Sequence, residues 1–181
     1  MSTRGMIQVF DPRNRLLANI YVHGDMYPDD GMMCEVARFL SKRYLVNGIT
    51  DHFKDVNLMD NLAALIVAYL VNWNTKVIRR FVKAKKNDLA AGFVYLYPFD
   101  LDIKDTDVEY IYELHPTVDE EALSKVYEDF WKGSLALPIN KAEALDVIKV
   151  IAKRYEWWDG KGPTDFFNGT LRDFAKQYCK A

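Results

Sequence analysis

The longest apolar run of the chain covers residues 61–73, NLAALIVAYLVNW, and holds no charged side chain. Its length and its alanines favour a helix over a strand. It is shorter than the roughly 20 apolar residues that cross a bilayer. A helix that is apolar on every side belongs inside a domain, so we predict a central buried helix here. Asn57 or Asp60 can cap its start, and its pattern can continue into the basic residues 76–86.

Alternation of apolar and polar residues predicts strands over residues 5–10 and 16–23. Pro12 presets a turn φ between them, and Asn14 tolerates a positive φ. The two strands therefore form a β-hairpin.

Apolar residues at helical spacing predict a first helix over residues 32–45. Asp29 and Asp30 precede it, where the helix dipole favours negative charge. Asn47 and Gly48 both accept the left-handed conformation that ends helices.

Aromatic strands follow at residues 92–97 and 108–114, and we expect them to be antiparallel neighbours. The acidic connection between them lacks the glycine and glutamate of a calcium loop, so a solvated connection is expected. Residues 5–114 thus read as ββααββ.

After Pro116 the pattern predicts helices at 117–131 and 141–155, a short strand near Phe166, and a last helix at 170–179. The fold class is α+β: a mainly antiparallel sheet covered by helices, with a helical C-terminal part. Residues 1–116 form the α+β core, and residues 117–181 a helical subdomain packed on it. A layered sandwich with a terminal nucleophile, Ser2 or Thr3, is the alternative.

The 181 residues are 50% apolar and 14% aromatic, which is ample for one folded domain. A net charge of −2 argues against a dedicated nucleic-acid binder. The start of the sequence shows no secretory signal pattern. Cys34 and Cys179 form no metal-ligand spacing, and we interpret them as free thiols in a reducing cytoplasm. Neither a cofactor, a metal nor a membrane is predicted.

His23 and Asp25 are the candidate catalytic residues, because a carboxylate two positions away can orient a histidine as a general base. The alternative is a polar turn in which Asp25 caps backbone amides and Tyr27 packs on the helix. No serine or cysteine motif accompanies them, so a triad is not supported.

Tyrosines alternate on the two aromatic strands, which can create a face for stacking a base or another flat ligand. Ordinary cross-strand pairs are the alternative. The candidate ligand-binding residues are Arg4, Tyr27, Asn47, Tyr97 and Tyr110.

Residues 76–86 carry six basic side chains and no acidic one, and a tryptophan pair lies in a glycine-containing loop. Both features suit contact with an acidic partner, although a solvated helix face is the alternative. The candidate partner-binding residues are Arg79, Arg80, Lys83, Lys85, Lys86, Trp157 and Trp158.

Several motifs resemble those of a group of small uncharacterised bacteriophage and bacterial proteins. They are Thr3-Arg4, IYVHGDMYP at residues 20–28, VNGI at 46–49, LAA at 62–64, YLYP at 95–98 and EYIYE at 109–113. A closing pattern adds Phe167, Gly169, Phe174 and Cys179. Met26 stands where the family pattern has glycine, and residues 117–165 resemble an insertion.

This resemblance implies a phage-type accessory protein and transfers no activity. The first hypothesis is therefore a non-enzymatic protein that binds a host macromolecule, with a host protein as partner, in host takeover or counter-defence. The second is a small-molecule or nucleotide binder that uses the tyrosine face. The third is a small hydrolase or transferase that uses His23 and Asp25.

Overall fold

The computed structural model describes residues 3–46, 55–57, 61–80, 82, 93–117, 142–156 and 160–180. The strands in this part of the chain are β1 (Gly5–Phe10), β2 (Leu16–Val22), β3 (Tyr44–Val46), β4 (Asp55–Asn57), β5 (Val94–Tyr97), β6 (Tyr110–Pro116), β7 (Ala142–Glu143), β8 (Ile148–Arg154) and β9 (Thr164–Thr170). The helices are α1 (Met32–Leu40), α2 (Leu62–Ile78), α3 (Ala144–Val147) and α4 (Leu171–Tyr178), and a 3₁₀ turn covers Ile103–Asp105.

Six strands form the main sheet in the order β5-β2-β1-β6-β8-β9. The β1–β6 pair is parallel, and the other neighbouring pairs of this sheet are antiparallel. A three-stranded sheet joins β4, β3 and β7. The predicted α+β class with a mainly antiparallel sheet is confirmed.

The predicted hairpin is confirmed, and a buried carboxylate stabilises its turn. Asp11 accepts N–H groups of Arg13 and Arg15 at 2.9 and 2.8 Å, and the Arg15 guanidinium at 2.6 Å. Burial opposes ionisation of Asp11, but these donors outweigh it and lower the pKa of the carboxyl. Asn14 has a φ of 60°, as its type allows.

The main core lies on one face of the six-stranded sheet. There the inward residues of β1, β2, β6 and β8 pack against α1, α2 and α4. A smaller apolar cluster lies on the other face and contains Met6, Tyr21, Val108 and Ile111. The two faces of β1 are therefore both buried along much of its length.

The prediction that α2 is buried on every side is wrong. Its buried apolar residues Leu62, Ile66 and Leu70 form one stripe at a spacing of four, while Ala64 and Ala68 are exposed. The helix therefore packs on the core with one face only. The exposed face carries small alanine side chains, which leave little apolar surface in contact with water. Within the described residues, no helix is long and apolar enough to cross a membrane.

The helix predicted over residues 141–155 is also wrong beyond Val147. Ile148, Val150 and Ala152 are buried and alternate with more accessible residues of β8, which is the period of a strand. Pairing with β6 and β9 on both sides decides between the two periods. Strands from both predicted subdomains consequently share one sheet. The helix predicted at 117–131 falls outside the described residues from position 118 onward.

The first helix is shorter than predicted, since it ends at Leu40 and residues 44–46 form β3. Leu45 is buried in the main core through this strand. The predicted stop at Asn47 and Gly48 falls outside the described residues.

The strands β5 and β6 are not neighbours, contrary to prediction. The β1–β2 hairpin lies between them: β5 pairs with β2, and β6 pairs with β1 and β8. The central position of the hairpin follows from its apolar residues on both faces, which need cover on both sides.

The prediction of two free thiols is wrong, because Cys34 and Cys179 form a disulfide across 145 residues with Cα atoms 5.4 Å apart. It joins the first turn of α1 to the residue after α4. The N–H of Asp30 donates to the Tyr178 carbonyl at 2.9 Å next to it. The C-terminal helix is thus covalently held against α1.

Candidate functional site

Polar side chains cluster on the sheet face opposite the main core, around Tyr21. Its hydroxyl donates to the Asp107 carboxylate at 3.0 Å and lies 3.2 Å from Nδ1 of His23. Arg4 forms an ion pair with the other oxygen of Asp107. The Tyr97 ring stacks on Tyr21, with centroids 4.9 Å apart and planes 12° apart.

Burial raises the pKa of Tyr21, and the hydrogen bond and negative charge of Asp107 raise it further. The phenol therefore stays neutral and remains a donor to Asp107 at all physiological pH values. This fixes the Tyr21 ring and, through it, the stacked ring of Tyr97.

An open cleft of about 900 Å³ adjoins this cluster. Its wall consists of residues from the β5–β6 connection, from the end of β8 and from the loop before β9. They are Tyr97, Pro98, Leu101, Lys104, Asp105, Thr106, Asp107, Tyr155, Gly160, Lys161 and Gly162.

Strand β5 is an outer strand of the six-stranded sheet, and large apolar side chains are exposed along it. The exposed fractions are 47% for Tyr95, 65% for Leu96 and 63% for the nearby Phe99. The His23 N–H donates to the Phe93 carbonyl at 2.9 Å. Since bonded pairs alternate in antiparallel strands, the backbone groups of residues 94 and 96 point away from β2.

The structure does not join the two candidate catalytic residues. His23 contacts Tyr21 and Phe93, whereas Asp25 is exposed and has a φ of 55°. No hydrogen bond or ion pair connects the two side chains, both of which are described. The strand ends at Val22, so the shared face that the prediction assumed is lost at Gly24, which has a φ of 146°.

Asp25 instead acts through its backbone, since its carbonyl accepts the N–H of Met32 at 2.6 Å. This carbonyl and that of Tyr27 would lie 2.6 and 2.0 Å from a Cβ on Gly31. The loop is therefore a tightly packed support for α1. Thr3 is a candidate terminal nucleophile of the layered-sandwich alternative. Its backbone carbonyl accepts the N–H of Met26 at 3.1 Å.

The predicted tyrosine face is divided between the two faces of the sheet. Tyr95 and Tyr97 lie with Tyr21 on the open side, whereas Tyr110 and Tyr112 pack against Phe166 at the main core. The predicted grouping of Tyr110 with Tyr97 is thus wrong. The register causes this, because the pairs across β5, β2, β1 and β6 align Tyr97 with Glu113, and the tyrosines of β6 alternate with Glu113.

Arg4, another candidate ligand-binding residue, belongs to the same cluster as Tyr97. It pairs with Asp107, which accepts from Tyr21, and Tyr21 stacks on Tyr97. Tyr27 is 41% exposed in the loop before α1. Asn47 falls outside the described residues.

Arg79 and Arg80, the first two candidate partner-binding residues, are exposed at the end of α2. The remaining candidates fall outside the described residues: Lys83, Lys85, Lys86, Trp157 and Trp158. The acidic residues of the β5–β6 connection are exposed as predicted, at Asp100, Asp102, Asp105 and Asp107.

A second charged group on the open face was not predicted. Glu113 accepts from Lys153 and lies 3.1 Å from Nε2 of His115, whose ring stacks on Phe10 at 4.2 Å. Burial opposes ionisation of Glu113, but the hydrogen bonds from His115 and Lys153 prevail and lower its pKa. The spacing of Glu113 and His115 on one strand was a sequence signal that could have predicted their contact. The contact with Lys153 could be predicted only if β8 was recognised as a strand next to β6.

In the part of the chain that the structure describes, no group of three or more His, Cys, Asp or Glu side chains could hold a metal ion. Comparison of the chain with protein-family models, curated proteins and solved structures finds no match.

Proposed function

We propose that this chain is a non-enzymatic binding protein that captures an extended segment of a partner protein along the outer side of β5. The observation that carries the proposal is an outermost strand with exposed apolar side chains and no charge. Outward backbone groups at positions 94 and 96 can hydrogen-bond an added strand, which is the mode called β-augmentation.

Side chains on both faces of β5 suit such a partner. Leu96 lies opposite Ile20 and so points to the helix side, while Tyr95 lies opposite Tyr21 on the open side. An added strand places its own alternate side chains beside these two. The expected partner segment is therefore extended and apolar on both faces, with Phe99 available at one end.

The resemblance to phage proteins supports a host protein as the partner and a role in host takeover or counter-defence. The host cytoplasm is the proposed location. The predicted free thiols were an argument for the cytoplasm. The two cysteines instead form a disulfide, which is a bond typical of oxidising compartments. The proposed location therefore depends on the resemblance alone.

Site-specific photocrosslinking in bacterial cells tests the proposal. A benzoylphenylalanine at position 96 is expected to crosslink one host protein. The same residue at position 168, which is exposed on the opposite outer strand β9, is the matched control. Crosslinks from position 96 that equal those from position 168 in pattern and yield would contradict the proposal.

A charge variant gives an independent second readout. Leu96→Lys is expected to abolish co-purification of the crosslinked protein, because a charge on an edge strand discourages pairing. Asn168→Lys is expected to leave co-purification unchanged. Retention of the partner by a folded Leu96→Lys protein would show that the partner binds elsewhere.

A further inference from the structure

We propose that the cleft beside Tyr97 is a separate site that binds a nucleoside phosphate. Its volume of about 900 Å³ lies in the range of small-molecule sites. The wall combines aromatic and apolar groups with a few charged ones. A flat ring that carries an anionic group has the chemistry to contact both parts.

The aromatic part of the wall is held rigidly. One face of the Tyr97 ring is covered by Tyr21 at 4.9 Å, and Tyr21 is fixed by its hydrogen bond to Asp107. A nucleobase placed on Tyr97 extends this stack, with Pro98 and Leu101 beside it. Because the protein orders the Tyr97 ring in advance, binding costs less conformational entropy.

The charged part of the wall can contact both ends of a nucleotide. Asp105 is exposed and its carboxylate can accept the N–H groups of a base edge. Lys161 lines the cleft and can contact a phosphate. Lys104 is a second lysine of the wall, and its Nζ lies 3.8 Å from Oδ2 of Asp102.

The loop around Lys161 leaves room for an anion. A Cβ on Gly160 or on Gly162 would meet no atom of the described residues within 4 Å. Gly160 has a φ of +66°, a conformation that side-chain-bearing residues rarely adopt. The backbone on both sides of the lysine is thus accessible to a ligand.

Isothermal titration of the full, oxidised chain with AMP, GMP, CMP and UMP tests this site. We expect binding of at least one nucleotide and about tenfold weaker binding of its nucleoside. Tyr97→Ala is expected to weaken binding about fivefold to 150-fold, the range for loss of one base–aromatic stack. Lys161→Ala is expected to weaken binding of the nucleotide and to leave that of the nucleoside unchanged.

Tyr95→Ala is the matched control, because Tyr95 lies on the same strand and face as Tyr97 and also contacts Tyr21, but does not line the cleft. It is expected to bind nucleotides normally. Leu96→Lys is also expected to bind nucleotides normally, which would show that nucleotide binding is independent of partner binding at β5. Lys161 is exposed, so its variant remains informative if Tyr97→Ala misfolds. Absence of binding at millimolar nucleotide, binding insensitive to Lys161→Ala, or equal affinity for inorganic phosphate would each overturn the proposal.

Discussion

The two outer strands of the main sheet differ in how they are protected. Strand β9 begins with the exposed Thr164 and the charged Asp165, and a register shift interrupts its pairing with β8. Its phenylalanines turn inward, where Phe167 contacts Phe174 of α4 at 5.3 Å. Charge, irregular pairing and a covering helix are established devices against unwanted strand addition.

Strand β5 lacks two of these devices, charge and irregular pairing, whereas α2 contacts it as α4 contacts β9. No charged residue occurs from Phe93 to Phe99, and the registered pairs with β2 show no shift. Among the described residues, its further protection consists of its short length and of Pro98, which ends it. This difference in charge and pairing between the two edges is the reason why we propose partner binding at β5.

Removal of the disulfide should have the largest effect on the free energy of unfolding. The disulfide holds α4, the helix that contacts β9, against α1. Closing a loop of 145 residues corresponds to about 5 kcal/mol in the chain-entropy account, so Cys34→Ser with Cys179→Ser is expected to destabilise by up to about that amount. Urea unfolding of the variant measures the loss. Reduced wild-type protein serves as control and should match it; an unchanged urea midpoint in both would contradict the disulfide.

Phe174→Ala should cost about 3–5 kcal/mol, because this ring is fully buried between Tyr112 and the inward face of β9. The matched control is Phe99→Ala, which removes the same side chain from the end of the open edge and should change stability by less than about 0.5 kcal/mol. Thermal unfolding of both variants gives the comparison. Equal losses would mean that Phe99 is packed rather than exposed.

The charged group between the two edges predicts a pH dependence. The folded pKa of Glu113 is lowered, so its contribution is present above the unfolded pKa, near 4.5, and is lost as pH falls below it. Glu113→Gln is expected to cost about 1 kcal/mol at pH 7 and little at pH 3. Denaturant melts across this range measure the difference, and a pH-independent difference would exclude the ion-pair explanation.

Lysine at either edge should have the smallest effect on stability. Leu96→Lys and Asn168→Lys both replace exposed side chains, and each is expected to change the free energy of unfolding by less than about 0.5 kcal/mol. A loss above about 2 kcal/mol for Leu96→Lys would indicate that Leu96 belongs to the core.

Sequence reasoning succeeded where one local signal dominated. Pro12 and Asn14 marked the turn of the hairpin, and Thr170 with Asp173 marked the start of α4, where the Asp173 N–H donates to the Thr170 hydroxyl at 3.1 Å. Each of these features depends on neighbouring residues, so pairing elsewhere in the chain could not alter it.

Prediction failed where distant residues decide. Residues 148–152 fit a helical and a strand period equally, and only β6 and β9 on either side select the strand. Cys34 and Cys179 carry no sequence sign that they meet. The cleft and the Glu113–Lys153 pair likewise require the strand order, which periodicity does not contain.

Amide hydrogen exchange of the chain, alone and bound to the protein crosslinked from position 96, tests the central claim most directly. In the free protein the outward amides of Val94 and Leu96 should exchange rapidly. In the complex they should gain at least about tenfold protection, while the amides of β9 stay unchanged. Unchanged exchange at Val94 and Leu96, with new protection elsewhere, would contradict strand addition at β5.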